Sequence, residues 1–180
     1  MDAQTCILTR RSVRKFDPAT IDHELMEQII SLASYAPSWK NTQISRYIAI
    51  ESPEVREAIA EQYCSEGHHN KEIIRNCPLL IAQTFVKSRS GFERDGTYST
   101  DREGGWQYYD CGIAAQTFCL AAHEKGLGTV ILGIFDRPAL EKHLNLPENQ
   151  ELVALIALGH PADQPAAPRR KGVEDLLTWR

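Results

Sequence analysis

CGIAAQTFCLAA, at residues 111–122, is apolar on nearly every face of a helix. A surface helix shows a single apolar stripe, so this stretch is expected at the centre of the fold, covered on all sides. The helix is predicted over residues 106–125, and Gly126 follows where a helix-ending glycine is favoured. The rest of the chain is therefore expected to pack around one central helix.

Helix and strand patterns alternate on both sides of this stretch. Further helices are predicted at residues 21–35, after Ser52-Pro53 and after Asp136. Four short strands are predicted, at residues 46–51, 78–86, 129–134 and 151–158. The mixture indicates an α/β or α+β fold, and 180 residues suit a single domain spanning residues 1–180.

The bulk composition narrows the classes of protein and partner. The net charge of −4 argues against a nucleic-acid partner, which would call for a broad basic face. No apolar run approaches the ~20 residues that cross a bilayer, so no membrane association is expected. The five cysteines include no Cys-x-x-Cys pair, which favours a reducing, cytoplasmic location.

Two basic clusters stand out on this acidic chain. Arg10, Arg11, Ser12 and Arg14 lie within five residues, and Arg169-Arg170-Lys171 lies near the other end. Guanidinium groups bind phosphate with paired N–H donors, so the clusters could form one phosphate pocket if folding joins them. Solvated surface charge is the ordinary alternative, and a nucleic-acid arm is a third interpretation.

Polar groups are concentrated in the loop Pro37-Ser38-Trp39-Lys40-Asn41-Thr42-Gln43. Its hydroxyl, amide and indole groups suit the edge of a heteroaromatic ring or a polyol chain. The alternative is an ordinary polar loop with Trp39 in an apolar seam.

The glycines of Gly126 to Gly133 follow a helix and precede a strand, which is the reverse of the dinucleotide-binding order. They could let backbone approach a flat ligand, or simply end the helix. Cys64, His68 and His69 have no second pair of ligands at metal-binding spacing, so no metal site is predicted. Residues 87–105 form a long polar segment, typical of a lid or binding loop.

Four motifs, taken in order, resemble the nitroreductase family of FMN-dependent oxidoreductases over nearly the whole chain. The family's opening Arg-Arg-Ser-x-Arg-x-Phe is present at residues 10–16, and its Ala-Pro-Ser-x-x-Asn-x-Gln at residues 36–43. Gly-Leu-Gly-Thr is present at residues 126–129. The closing motif is represented by Gly159, Pro161, Pro168, Arg170 and Lys171.

The resemblance implies an α+β fold with a central mixed sheet flanked by helices, in an intertwined homodimer with FMN at the interface. It implies that a proline-rich extension, residues 159–180, reaches over the partner. The residues implied in FMN binding are Arg10, Arg11, Ser12, Arg14, Arg170 and Lys171 for the phosphate and ribityl chain, Pro37, Ser38 and Asn41 from the partner chain, and Ile131, Leu132 and Gly133 along the isoalloxazine.

The resemblance also implies the reaction. NADPH or NADH would pass hydride to flavin N5, and a small electron-poor acceptor, such as a nitroaromatic or quinone, would then take it in a ping-pong cycle. No acid–base side chain is required. A storage or sensor module that binds FMN without turnover, and a specialised relative such as a dehalogenase, are the alternatives.

One departure from the family's pattern concerns packing. Many members continue Gln-Pro-Trp where this chain reads Gln43-Ile44-Ser45, so a buried aromatic behind the loop is lost.

Overall fold

The computed structural model describes residues 1–65 and 69–180. Its helices are α1 (Ala3–Thr9), α2 (His23–Ala33), α3 (Pro53–Tyr63), α4 (Asn70–Asn76), α5 (Gly105–Glu124), α6 (Arg137–His143) and α7 (Val173–Leu176). Its strands are β1 (Ser45–Ile50), β2 (Leu79–Val86), β3 (Gly128–Leu132) and β4 (Gln150–Gly159), and a short 3₁₀ helix covers Trp39–Asn41.

The four strands form one sheet in the order β1-β2-β4-β3, and every pair of neighbours is antiparallel. The α+β class is confirmed. The expected mixed sheet is not: within the described residues, parallel pairing is confined to the isolated bridge between Ser12 and Thr129.

Both faces of the central strands are buried. On β4, Leu155 and Ala157 face a cluster formed with α3, α4 and α6, whereas Ile156 and Leu158 face one formed with α2 and α5. Successive side chains of a strand point to opposite faces, so a continuous apolar run such as ELVALIAL fits a sheet covered by helices on both sides.

Helix α5 is the longest helix of the described chain and ends as the sequence predicts. Gly126 adopts φ +79°, and the Leu127 N–H donates to the Ala122 carbonyl at 2.9 Å, closing the turn with a left-handed glycine. The expectation that this helix is covered on all sides is wrong for the single chain. Tyr109, Gly112 and Gln116, one helical turn apart, are exposed.

The remaining sequence expectations differ from the structure in detail. The predicted strands and helices lie within about two residues of the observed ones, as terminal fraying allows. Helices α1, α4 and α7 were not expected, because each spans two turns or fewer and carries no sustained apolar period. Ser45, which is half-buried, stands where many members carry the aromatic, and Ile44, in place of the proline, is 1% exposed and packs with Phe85 and Cys111.

Gly128 fixes how the N-terminal segment lies on the sheet. A Cβ at this position would come within 2.7 Å of the Val13 side chain. We expect Gly128→Ala to destabilise the protein by about 1–3 kcal/mol, since overpacking forces the backbone apart. Denaturant unfolding measures the loss. Gly105→Ala is the control, because its nearest neighbour would lie at 3.8 Å; an equal loss in both variants would contradict the packing argument.

Candidate functional site

The sheet brings the first basic cluster against the glycine-rich strand. The Val13 N–H donates to the Thr129 carbonyl at 3.0 Å, and Ser12 forms a bridge with the same residue. Close contact of Val13 with Gly128 seals this junction. Two of the candidate segments of the sequence, residues 10–14 and 126–133, therefore lie side by side in one chain.

The guanidinium groups of this cluster are only partly used by the chain itself. Arg11 donates to the carbonyls of Leu8 and Arg10 at 2.7 and 2.9 Å, and Arg14 donates to the Ser12 carbonyl at 3.1 Å. The Arg10 Nε is buried and has no hydrogen-bond partner in the described structure. A buried donor without a partner is costly, so Arg10 is suited to an anionic ligand.

The pKa of His123 is lowered by its surroundings next to this cluster. Its ring lies 2.8 Å from the Thr9 hydroxyl, at the C-terminal end of α5. Burial lowers the pKa of His123, and the charges of Arg10 and Arg11 lower it further. A cavity of about 650 Å³ opens here, lined by Thr9, Arg11, His123 and residues 161–165.

The end of β3 presents an open surface. Ile131 is 47% exposed, and a Cβ at Gly133 would meet nothing within 4 Å. Leu132 points into the core and is 5% exposed, so only its backbone could contact a ligand. The surface suits the face of a planar ring system.

The polar loop at residues 37–43 is locally strained. Lys40, Asn41 and Gln43 have φ values of 46°, 55° and 47°, in the left-handed region that non-glycine residues rarely occupy. The Gln43 N–H donates to the Ser38 hydroxyl at 3.0 Å and holds the loop closed. Strain of this kind collects at ligand-binding positions, where the surrounding structure maintains it.

Asp110 supports this loop from the N-terminal end of α5. Its buried carboxylate accepts the Trp39 N–H at 3.0 Å and the Ser90 hydroxyl at 2.6 Å. It thereby joins the loop at residues 37–43 to the long segment at residues 87–104. The sequence did not single out this role, because its two partners lie 71 and 20 residues away.

Replacing Asp110 tests that connection. Asp110→Ala leaves the buried Ser90 hydroxyl and the partly buried Trp39 N–H without this acceptor, and we expect a total loss of about 1–3 kcal/mol in the free energy of unfolding. Faster proteolysis within residues 87–104 should accompany it. Asp110→Asn retains an acceptor oxygen and should lose clearly less. Equal stability of the alanine variant and the wild type would show that the carboxylate does not hold the two segments.

The long segment also packs directly on the loop. The Lys40 ammonium forms an ion pair with Glu93 of this segment at 3.1 Å, and the Trp39 ring lies 4.8 Å from that of Trp106, at the start of α5 just after the segment. The expected lid is therefore an ordered segment, docked on the residues that precede β1.

The polar loop at residues 37–43 and the basic cluster at residues 10–14 lie near opposite ends of α5. Asp110, near the N-terminal end, bonds to Trp39 of the loop, and His123, near the C-terminal end, bonds to Thr9 next to the basic cluster. Thirteen residues of helix separate them, a distance of about 20 Å at the usual rise per residue. One chain therefore does not bring the polar loop and the basic cluster together.

The second basic cluster stands apart from the first. Arg170 and Lys171 are exposed, and no hydrogen bond or ion pair among the described residues joins them to residues 10–14. Their role in phosphate binding stays a prediction.

Two further features concern metals and membranes. Within residues 1–65 and 69–180, no group of three or more metal-ligating side chains is gathered. His68, considered as a ligand, lies outside the described residues. No helix in the described part of the chain has the length and apolar character to span a membrane.

Comparison with known proteins decides the family. The model of the nitroreductase family matches residues 7–160. The chain belongs to the nitroreductase family. The resemblance seen in the four motifs, and the oxidoreductase class that it implied, are confirmed.

Individual members of the family are similar over most of their length. A Methanothermobacter thermautotrophicus protein, provisionally named NADH dehydrogenase/NAD(P)H nitroreductase, is 30% identical to this chain. The match covers 98% of this chain and 83% of the length of that protein. A solved structure from Desulfovibrio desulfuricans, in complex with FMN, is 27% identical with a TM-score of 0.80 and covers 100% of this chain and 98% of its own. Iodotyrosine deiodinase of Nematostella vectensis is 26% identical over 95% of this chain and 72% of its own.

Proposed function

We propose that this nitroreductase-family protein binds FMN and uses NADPH or NADH to reduce a small electron-poor acceptor. The observation that carries the proposal is the buried Arg10 Nε, without a partner among the described residues, on the segment that bonds to β3 at Thr129, with Ile131 and Gly133 exposed at the end of that strand. A phosphate and a planar ring are the two ends of one flavin nucleotide. The motifs shared with the family support the same assignment.

Each group of residues has a separate task in FMN binding. Arg10, with Arg11, Ser12 and Arg14, would hold the phosphate and ribityl chain through charge-assisted hydrogen bonds. Ile131 and Gly133 would lie along the isoalloxazine, and Leu132 would offer only its backbone. Arg170 and Lys171 would join the phosphate from the exposed tail.

A second copy of the chain would complete the site. In a two-fold dimer with antiparallel α5 helices, the N-terminal end of one helix meets the C-terminal end of the other, so Pro37, Ser38 and Asn41 of one chain approach residues 10–14 of its partner. The exposed face of α5, with Tyr109, Gly112 and Gln116, is the proposed contact. Leu176 and Trp179, 72% and 87% exposed on the tail, would pack on the partner.

Bound FMN would supply the redox chemistry, accepting hydride from NAD(P)H and returning it to a nitroaromatic, quinone or similar acceptor. The protein would position the two substrates in turn. A donor must approach the ring to roughly 3–3.5 Å, so an open slot over Ile131 and Gly133 is the main requirement. The strained loop at residues 37–43, supplied by the partner subunit, would close one side of that slot. The five buried free cysteines fit the proposed cytoplasmic location.

Kinetics and spectroscopy test the proposal against its alternatives. Anaerobic mixing with NADPH should bleach the bound flavin, and steady-state kinetics with a nitroaromatic should be ping-pong. A flavin that stays oxidised with both NADPH and NADH would favour a storage or sensor module. The similarity to a deiodinase makes iodotyrosine a second acceptor to assay; release of iodide would favour the specialised alternative.

A further inference from the structure

A second cavity lies between the loop at residues 37–43 and the long segment that follows β2. We call it the lid cavity; it measures about 560 Å³ and is lined by Lys40, Thr42, Arg89, Phe92, Glu93 and Arg94. Ligand pockets usually measure about 300–1,000 Å³. Lys40 and Thr42 flank Asn41, so the lid cavity adjoins a residue assigned to FMN.

The charge of the lid cavity is unbalanced. Glu93 is neutralised by Lys40 at 3.1 Å, and its pKa is lowered by the hydrogen bond from Ser99 and by Lys40. Arg89 and Arg94 have no carboxylate within 4.0 Å in the part of the chain that the structure describes, and neither makes a side-chain hydrogen bond there. Both residues are exposed and line the same cavity, so their guanidinium groups are available to an anionic ligand there.

Two further groups of the lid cavity could contact parts of a ligand other than its anion. The Thr42 hydroxyl is buried there without a hydrogen-bond partner. Phe92 is a half-buried lining residue whose ring packs 4.9 Å from that of Tyr98, so aromatic surface lies beside the cations. Phosphate, hydroxyl and aromatic base are the three parts of a nucleotide.

We propose that the lid cavity binds the phosphorylated adenosine half of the nicotinamide nucleotide. Arg89 and Arg94 hold its phosphate, the Thr42 hydroxyl bonds a ribose or phosphate oxygen, and Phe92 packs on the adenine. This proposal rests on the proposed function, since the nicotinamide must reach the flavin while its other end is held. The anchored adenosine half directs the reductant to the slot over β3.

Direct binding tests the proposal on the FMN-loaded protein. Adenosine 2′,5′-bisphosphate is titrated into wild type, Arg89→Gln and Arg94→Gln by calorimetry. Each substitution should weaken binding about tenfold or more, since each removes a charge-assisted hydrogen bond. Arg102→Gln is the matched control, because it removes the same charge from an exposed position of the same segment outside the lid cavity. Its affinity should stay at the wild-type value.

Kinetics with a truncated reductant identify which half of the nucleotide is held. In Arg89→Gln and Arg94→Gln the KM for NADPH should rise about tenfold, whereas the KM for reduced nicotinamide mononucleotide, which lacks the adenosine half, should not change. A bisphosphate that fails to bind wild type, or binds all variants equally, overturns the proposal. A raised KM only for an acidic acceptor such as nitrobenzoate also overturns it. Protein that takes up no FMN refutes the proposed function instead.

Discussion

Arg10→Ala is expected to weaken FMN binding by tenfold to a hundredfold. The Arg10 Nε is buried and unpartnered, so the phosphate should be its main partner, and a charge-assisted hydrogen bond contributes about 1.5–3 kcal/mol. Fluorescence quenching of FMN titrated into the apoprotein measures the loss. The fold should persist, because the Arg10 side chain makes no hydrogen bond to any other residue that the structure describes.

Two comparisons make this result specific. Lys142→Ala removes a positive charge from the exposed surface of α6 and should leave FMN affinity unchanged. Arg10→Lys keeps the charge without the planar pair of donors, and should fall between the wild type and the alanine variant. Wild-type affinity in Arg10→Ala would show that the phosphate lies elsewhere.

Gly112→Glu is expected to convert the protein to a monomer and to abolish FMN binding together with it. In one chain, a Cβ at Gly112 meets nothing within 4 Å, so the single chain can still fold. In the proposed dimer the new carboxylate is buried against the partner's α5. An uncompensated buried charge costs about 3–5 kcal/mol, which weakens association a hundredfold or more.

Size-exclusion chromatography with light scattering, and FMN titration of the same samples, measure the two effects of Gly112→Glu. Gln28→Glu adds the same charge to an exposed position of α2 and should remain a dimer that binds FMN. A monomeric Gly112→Glu that binds FMN normally would refute a site shared between two chains. A dimeric variant would place the interface on another surface.

The sequence predicted the strands and the larger helices because their signals are local. The apolar run of β4 and the glycine after α5 follow from strand burial and left-handed backbone, and both are confirmed. The family motifs located residues 10–14 and 126–133, and the structure brings those two segments together. The fold class followed from the same patterns.

Other features depend on contacts that no local pattern encodes. Asp110 looked like one more polar residue of a helix, and only the fold shows that it joins segments 20 and 71 residues away. The apolar pattern of α5 predicts that all its faces are buried. It does not show whether the chain itself or a second copy covers the face at Tyr109, Gly112 and Gln116. The lid cavity depends on the arrangement of Thr42, Arg89 and Arg94 after folding.

The visible spectrum of the purified protein, recorded before and after adding FMN and then NADPH or NADH without oxygen, tests the central claim most directly. We predict flavin absorbance that approaches one FMN for each chain and that bleaches when the reduced nucleotide is added. A colourless protein that gains no bound-flavin absorbance from FMN would contradict the account.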